Sequence, residues 1–301
     1  MSLRVLMTGA SGYAGGAIAE VLRAAGITVL TAGRRPADDL AFDLMQPEQL
    51  STQAFPQDID VVVHAAAVHE VLCQHDPVAA YTANVTATRA LLELARKSSV
   101  RRLIYVSTFH VFGSLDGLID ESRTPQPVSD YGLTHMLAEQ IFLTFAHAQQ
   151  REISILRPAN LFGTPTHWSN FNRWTLAPFD FVQQAVITGQ IVLRTDGAPN
   201  RNYVSVSHLA NTVLAAVRGE LPEVTHVAGQ PWSISALASL AAKAVGSVIG
   251  KPVRVVLGQP GSMEASYVFC SNTAASELDE RQENMRSFLV EVTRYMTMGG
   301  K

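Results

Sequence analysis

The chain has 301 residues, 47% of them hydrophobic and 16% charged, enough for a large buried core in one α/β unit or one unit with an appendage. A net charge of −3 and a pI of about 6.3 argue against a phosphate-coating basic surface, so nucleic acid is not expected as a partner. No apolar run approaches the roughly 20 residues that span a bilayer, and Cys73 and Cys270 have neither metal-ligand spacing nor the makings of a disulfide framework. With the first apolar run starting at Leu3, no signal peptide is expected either. These readings describe a cytoplasmic protein with no membrane partner and no metal.

The first predicted strand, 4–8, runs into Thr8-Gly9-Ala10-Ser11-Gly12-Tyr13-Ala14-Gly15, and a helix is predicted over 17–25. A strand feeding a glycine-rich turn that opens a helix is where a dinucleotide pyrophosphate docks, because main-chain N–H groups and the positive end of the helix dipole face the phosphates. Gly9 suits the tight turn, Gly12 the close approach of backbone to phosphate, and Gly15 the packing of helix on strand. Ser11, Tyr13 and Ala14 complete the loop.

The second predicted strand, 28–31, continues into Ala32-Gly33-Arg34-Arg35. An NAD-selective site normally carries a carboxylate here to accept bonds from the ribose hydroxyls. Gly33 stands in its place, and Arg34 and Arg35 offer guanidinium contacts to a 2′-phosphate, so NADP is expected ahead of NAD. The alternative is that both arginines are solvated loop charges before Pro36. Asp43 and Leu44 suit the edge of an adenine pocket, although a lone Asp there also suits a simple turn.

Strands predicted at 61–64, 103–107 and 153–156 alternate with helices predicted at 78–97 and 132–149, the first opened by Asp76 as N-cap and Pro77 in its first turn. Such alternation predicts a Rossmann-type, doubly wound parallel sheet with helices on both faces. After Pro158 the texture changes: residues 163–180 hold Trp168, Phe171 and Trp174 without a clear period, as expected of irregular surface that covers a ligand. The aromatics there suit either stacking on a ring or the core of a lobe. A strand at 203–206, Ser207 as N-cap of a helix over 209–218, a helix at 234–248, a strand at 253–257 and a last helix at 275–296 complete the chain. The resulting division is a dinucleotide-binding domain of residues 1–165, to which 200–230 return, and a smaller interleaved C-terminal substrate lobe of 166–199 and 231–301.

Taken together, these segments resemble the extended short-chain dehydrogenase/reductases, the NAD(P)-dependent epimerase/dehydratase family. The resemblance rests on Thr8–Gly15, on Val63-His64-Ala65-Ala66-Ala67, on Asn84-Val85-Thr86-Ala87-Thr88, and on Val106-Ser107-Thr108-Phe109-His110-Val111-Phe112-Gly113. It extends through Tyr131-Gly132-Leu133-Thr134-His135 in the place of the Y-x-x-x-K motif, Arg157-Pro158-Ala159-Asn160-Leu161-Phe162-Gly163, and Arg201-Asn202-Tyr203. It implies that His64, Ala65, Ala66, Asn84, Tyr131, His135 and Pro158 serve the cofactor together with the glycine loop. It further implies Tyr131 as catalytic acid/base, Thr108 as the second catalytic donor to the substrate oxygen, and Asn160 and Arg201 as binders of a nucleotide sugar. The activity implied is hydride transfer to or from a keto-sugar, and the assembly implied is a homodimer. The apolar content of the helices at 78–97 and 132–149 (Leu91, Leu92, Leu94, Met136, Ile141, Phe142, Phe145) exceeds what one sheet face needs and points to these helices as the contact.

Residue 135 is the chief departure. A histidine with an ordinary pKa near 6.5 is mostly neutral at pH 7 and does not tune Tyr131 as a permanent cation does. A working enzyme with its own pH profile and a weakened dinucleotide-binding regulatory protein both remain open, as does a reductase of a non-nucleotide ketone. Phe109 and His110 stand where the acids of the nucleotide-sugar dehydratases stand, which disfavours dehydration because Phe cannot move a proton; Phe112 reads as packing. His69 and His75 are further candidates to reach the substrate.

Overall fold

A computed structural model describes residues 2–260, 267–273 and 284–299. In chain order its elements are β1 (Arg4–Thr8), α1 (Tyr13–Ala24), β2 (Thr28–Gly33), β3 (Leu40–Ala41), β4 (Val61–His64), α2 (Glu70–His75), α3 (Pro77–Tyr81), α4 (Ala87–Ala95), β5 (Arg102–Val106), β6 (Gly117–Ile119), α5 (Asp130–Ala148), β7 (Glu152–Pro158) and β8 (Asn160–Phe162). There follow α6 (Ala177–Thr188), β9 (Gln190–Val192), β10 (Asn200–Ser205), α7 (Val206–Arg218), β11 (Val224–Val227), β12 (Gln230–Ser233), α8 (Ile234–Ile249), β13 (Arg254–Val256), β14 (Tyr267–Phe269) and α9 (Met285–Thr297).

Seven strands form one all-parallel sheet in the order β11-β7-β5-β4-β1-β2-β3. A parallel sheet covered on both faces needs strands apolar on both faces. The run Val5-Leu6-Met7 and the run Val61-Val62-Val63 meet that need, all being almost fully buried. The α1 and α7 side chains pack on one face, with Ile18, Leu22, Leu209 and Val213. On the other, α4 and α5 supply Leu91, Leu92, Phe142 and Phe145. A third apolar cluster lies outside the sheet, where α6, α8 and α9 gather around Phe179, Leu237, Val245 and Phe288. Chain order reverses between β1 and β4, so the loops leaving their carboxyl ends part there and open a crevice, the usual ligand position in such sheets.

Three local expectations change. The predicted single helix over 78–97 is two helices joined by a π-helical turn, Thr82–Thr86. The turn carries Asn84, whose buried side chain bonds two other segments, and a widened turn is how a helix accommodates a residue committed to partners elsewhere. Helix α7 starts earlier than predicted: Ser205, not Ser207, caps it by accepting from the His208 N–H at 3.0 Å, and Ser207 bonds Ser205 instead. Helix α6 begins inside the stretch read as irregular. The part of the predicted last helix before residue 284 lies outside the described residues.

The helices expected to form a homodimer spend their apolar residues internally. Leu91, Leu92, Phe142 and Phe145 are buried in the protomer's own core, Leu94 and Ile141 pack against the same cluster, and Met136 packs against the opposite one. Most of that apolar surplus therefore serves the two faces of the sheet, with Leu94, Met136 and Ile141 only partly buried.

Candidate active site

The first wall of the crevice is the turn after β1. Gly9 adopts φ +75°, and a Cβ on it would lie 2.7 Å from the Ala66 nitrogen. A Cβ on Gly15 would lie 2.0 Å from the Gly9 carbonyl oxygen, so α1 packs on the turn only without a side chain there. Gly12 caps α1 without a side-chain bond, and the first turn holds no acidic residue. The helix thus turns a positive end, without a side-chain cap or an acidic residue, to the crevice, as a bridging phosphate requires.

The cleft that begins at this turn encloses about 1120 Å³. Gly9, Ser11, Gly12, Tyr13, Ala14, Gly15, Arg34, Arg35, Asp43, Leu44, Ala65, Ala66, Thr108, Tyr131, His135, Pro158 and Asn160 all line it. Three candidates do not. His64 is fully buried under the sheet, with Thr8 Oγ1 2.7 Å from Nδ1 and Thr88 Oγ1 3.0 Å from Nε2. Thr88 donates its own proton to the Asn84 carbonyl at 2.7 Å, so it accepts from His64 Nε2–H and Nδ1 accepts from Thr8. Asn84 is also buried: Oδ1 accepts from the Val68 N–H at 2.9 Å and Nδ2 donates to Thr134 at 3.0 Å. Both residues hold the loops that form the cleft. Arg201 sits on β10 opposite Trp232 and donates to the Asn200 carbonyl at 2.9 Å, outside the lining.

At the outer end, the expectation that no carboxylate stands beside β2 fails. The chain turns back after Pro36 and brings Asp38 to the space a residue 33 side chain would fill: a Cβ on Gly33 would lie 2.5 Å from Asp38 Oδ2. Asp38 accepts from Thr31 Oγ1 at 2.9 Å, from the Arg35 N–H at 2.8 Å and from Arg35 Nη2 at 3.0 Å. Burial raises its pKa, but these bonds outweigh burial and hold it below the usual carboxylate value. Arg35 is therefore already paired. Asp43 accepts from the Met45 N–H at 3.0 Å as a turn residue does, while still lining the cleft.

At the inner end, β5 runs into Thr108, and the first turn of α5, capped by Ser129, carries Tyr131. Hydrogen bonding with Thr108 pulls the phenol pKa down, as does the Arg173 guanidinium, but burial dominates and pushes it up to about 12. His135, one turn further along α5, lies against Tyr131 with ring centroids 4.7 Å apart. Burial, and then His110 and His64, push His135 down to about 3, so it is neutral across physiological pH and is not a substitute cation. Another turn along, Glu139 is fully buried and bonds Arg157 at 2.7 and 3.0 Å and Ser107 at 2.6 Å. These contacts tie α5 to β5 and β7, and with them the relative position of Tyr131 and Thr108.

The cation whose charge acts on the phenol comes from elsewhere. Arg173, in the segment read as irregular cover, reaches across the cleft to Glu70 at 2.9 Å. Burial raises the Glu70 carboxyl, but Arg173 reverses that and the net direction is down. His69 lines the cleft beside this pair, whereas His75 is exposed outside it. Trp168, Phe171 and Trp174 form lobe core: Trp168 stacks on Tyr295 at 3.9 Å between centroids, and Phe171 lies tilted against Phe179 at 4.4 Å. Arg173, Glu70 and Asp38 escaped sequence reading because no periodicity or spacing links them to the motifs they join.

A family model described as NAD dependent epimerase/dehydratase matches residues 5–228. The dTDP-6-deoxy-L-talose 4-dehydrogenase (NAD(P)(+)) of Kitasatospora kifunensis is 28% identical over 236 residues, covering 74% of this chain and 73% of that protein. The uncharacterized UDP-glucose epimerase YtcB of Bacillus subtilis (strain 168) is 25% identical over 165 residues, 54% of this chain, and the match spans half of that relative's length. The crystal structure of DesIV, a dTDP-glucose 4,6-dehydratase from Streptomyces venezuelae with NAD bound, has the same fold, with a TM-score of 0.79 at 21% identity over 99% of this chain and 98% of that one.

Proposed function

Because the chain belongs to the NAD dependent epimerase/dehydratase family, whose members are nicotinamide-dependent enzymes, we propose that it transfers hydride to or from a sugar carbon of a nucleoside-diphosphate sugar. The observation that carries this reading is the meeting of Thr108 and Tyr131 in the same cleft as the glycine turn. The turn of residues 9–15, closed to a Cβ at Gly9 and Gly15, and the amino end of α1 fit a dinucleotide pyrophosphate. Bound there, the nicotinamide supplies or accepts the hydride at C4. Tyr131 Oη holds the proton that moves to or from the substrate oxygen, and Thr108 Oγ1 orients that oxygen as charge develops on it. Pushed up to about 12 by burial, the phenol is protonated at neutral pH in the free protein and stands as a hydrogen-bond donor to the substrate oxygen. The Arg173–Glu70 pair lines the same cleft, and the Arg173 charge acts on the phenol.

For the cofactor, Asp38 favours NAD: its carboxylate can accept from ribose hydroxyls and repels a 2′-phosphate. NADP, expected from Gly33 and the two arginines, keeps only Arg34 in its support, since Arg35 is held by Asp38. The homodimer belongs to this reading on family grounds alone. That Arg201 lies outside the cleft lining favours a second reading, reduction of a ketone without a diphosphate.

The experiment is thermal unfolding with a panel of nucleoside-diphosphate sugars, followed by turnover of any that protect. Tyr131→Phe should lower kcat by about 10²–10⁴-fold while leaving dinucleotide affinity within about threefold. Absence of protection by every nucleotide sugar, with reduction of simple ketones intact, would replace the first reading by the second.

A further inference from the structure

Tyr105 lies on β5 with its ring held against His64 (5.7 Å between centroids) and Phe142 (5.1 Å), and it is 1% exposed. Its hydroxyl sits 2.7 Å from His135 Nδ1. A buried hydroxyl has one proton and needs an acceptor for it. Among the described residues His135 Nδ1 is the partner found for this hydroxyl, so the proton must point at that nitrogen. The reverse arrangement, Nδ1–H donating to the phenol oxygen, would leave the Tyr105 proton buried without an acceptor. A lone pair on Nδ1 places the ring's own proton on Nε2. That atom is buried and has no partner within the described protein, yet His135 lines the cleft.

We infer that Tyr105 is a positioning residue that fixes His135 as its Nε2–H tautomer, so that α5 presents a neutral, directional hydrogen-bond donor to the cleft where the family resemblance leads one to expect a lysine cation. The acceptor suited to a lone N–H beside the acid/base tyrosine is a hydroxyl oxygen of the nicotinamide ribose; this last step rests on the dinucleotide reading, whereas the tautomer does not. A histidine at this position alone would be ambiguous, because either ring nitrogen can carry the proton. The same counting of donors that makes His64 an acceptor at Nδ1 removes the ambiguity here. His64 on β4, His110 after β5 and Tyr131 on α5 surround His135, and none of them supplies a carboxylate to hold it as an imidazolium.

The test is long-range ¹H–¹⁵N correlation on protein with ¹⁵N-labelled histidine, with His135 assigned by its disappearance in His135→Gln. The wild-type spectrum should show a protonated Nε2 and a bare Nδ1 that accepts a hydrogen bond. In Tyr105→Phe, which keeps the ring stack, the Nδ1–H form should become visible and the His135 titration should move up, because the donor that favoured the neutral ring is gone. A wild-type ring protonated on Nδ1, or a Tyr105→Phe spectrum unchanged at both nitrogens, overturns the proposal. Dinucleotide titration tests the acceptor separately. His135→Gln, whose amide nitrogen can take the place of Nε2, should bind within about threefold of wild type, and His135→Leu about tenfold more weakly or worse. Equal binding by the two variants removes the ribose contact while leaving the tautomer intact; failure of wild type to bind any dinucleotide removes the functional reading instead.

Discussion

Residue 33 has no side chain, and its neighbours Arg34 and Arg35 suggested a site for phosphate. In the fold, Asp38, five residues on, occupies the vacated space and takes Arg35 as its partner. The absence of a carboxylate from one position says nothing about whether one reaches that point in space. Asp38→Ser should weaken NAD by about tenfold, as expected for a lost charge-assisted bond, and tighten NADP by releasing Arg35. Fluorescence titration with both dinucleotides decides it, and tighter NADP binding by the wild type would exclude the carboxylate as the selector. His135 teaches a related lesson: its identity and its neutrality near pH 7 were visible in the chain, its full burial and its Tyr105 partner were not.

At the scale of elements, α5 matters most, because three successive turns carry Tyr131, His135 and Glu139 along one face. Glu139 is wholly buried and faces Arg157, itself 6% exposed at the side chain. Such a pair contributes little net stability against an apolar replacement but is costly to break, since removing one charge strands the other. Glu139→Ala should therefore destabilise by about 3–5 kcal/mol, while Glu139→Leu combined with Arg157→Met recovers most of the loss. Urea unfolding of the two variants measures both. A single substitution as mild as the double would show that the pair is not desolvated. The π-helical turn at Asn84 has a comparable role at the other side of the cleft, spacing the loop after β4 from α5.

For the whole molecule, the burial that builds the sheet also sets its response to acid. His64 and His135 are fully enclosed and both are depressed to about 3 from 6.5. The unfolded chain binds their protons below pH 6.5 and the native protein does not, so stability is complete above that value and falls as pH drops toward 3. The slope for each histidine approaches about 1.4 kcal/mol per pH unit only well below pH 6.5, so the two together should cost about 3 kcal/mol between pH 6.5 and 5. Carboxylates are ionised in both states over most of that interval and add little to the loss. Denaturant unfolding at the two pH values checks it; a flat profile would mean that one or both rings are protonated in the native state.

The parallel sheet and its crevice were legible in the chain itself. Continuous apolar runs such as Val61–Val63 suit a strand buried on both faces, and Gly9 and Gly15 after β1 occupy places where a Cβ would collide with backbone. Thr108 and Tyr131 were legible only through the family resemblance; the fold brings both into the cleft. What required the tertiary structure were relations between segments with no common period: Asp38 folding back on Gly33, Arg173 reaching Glu70, Tyr105 reaching His135. Local propensity fixes where a strand or helix runs, because it acts over neighbouring residues. Charge, tautomer and cofactor preference depend on which distant groups share a desolvated space, and only the packed chain decides that.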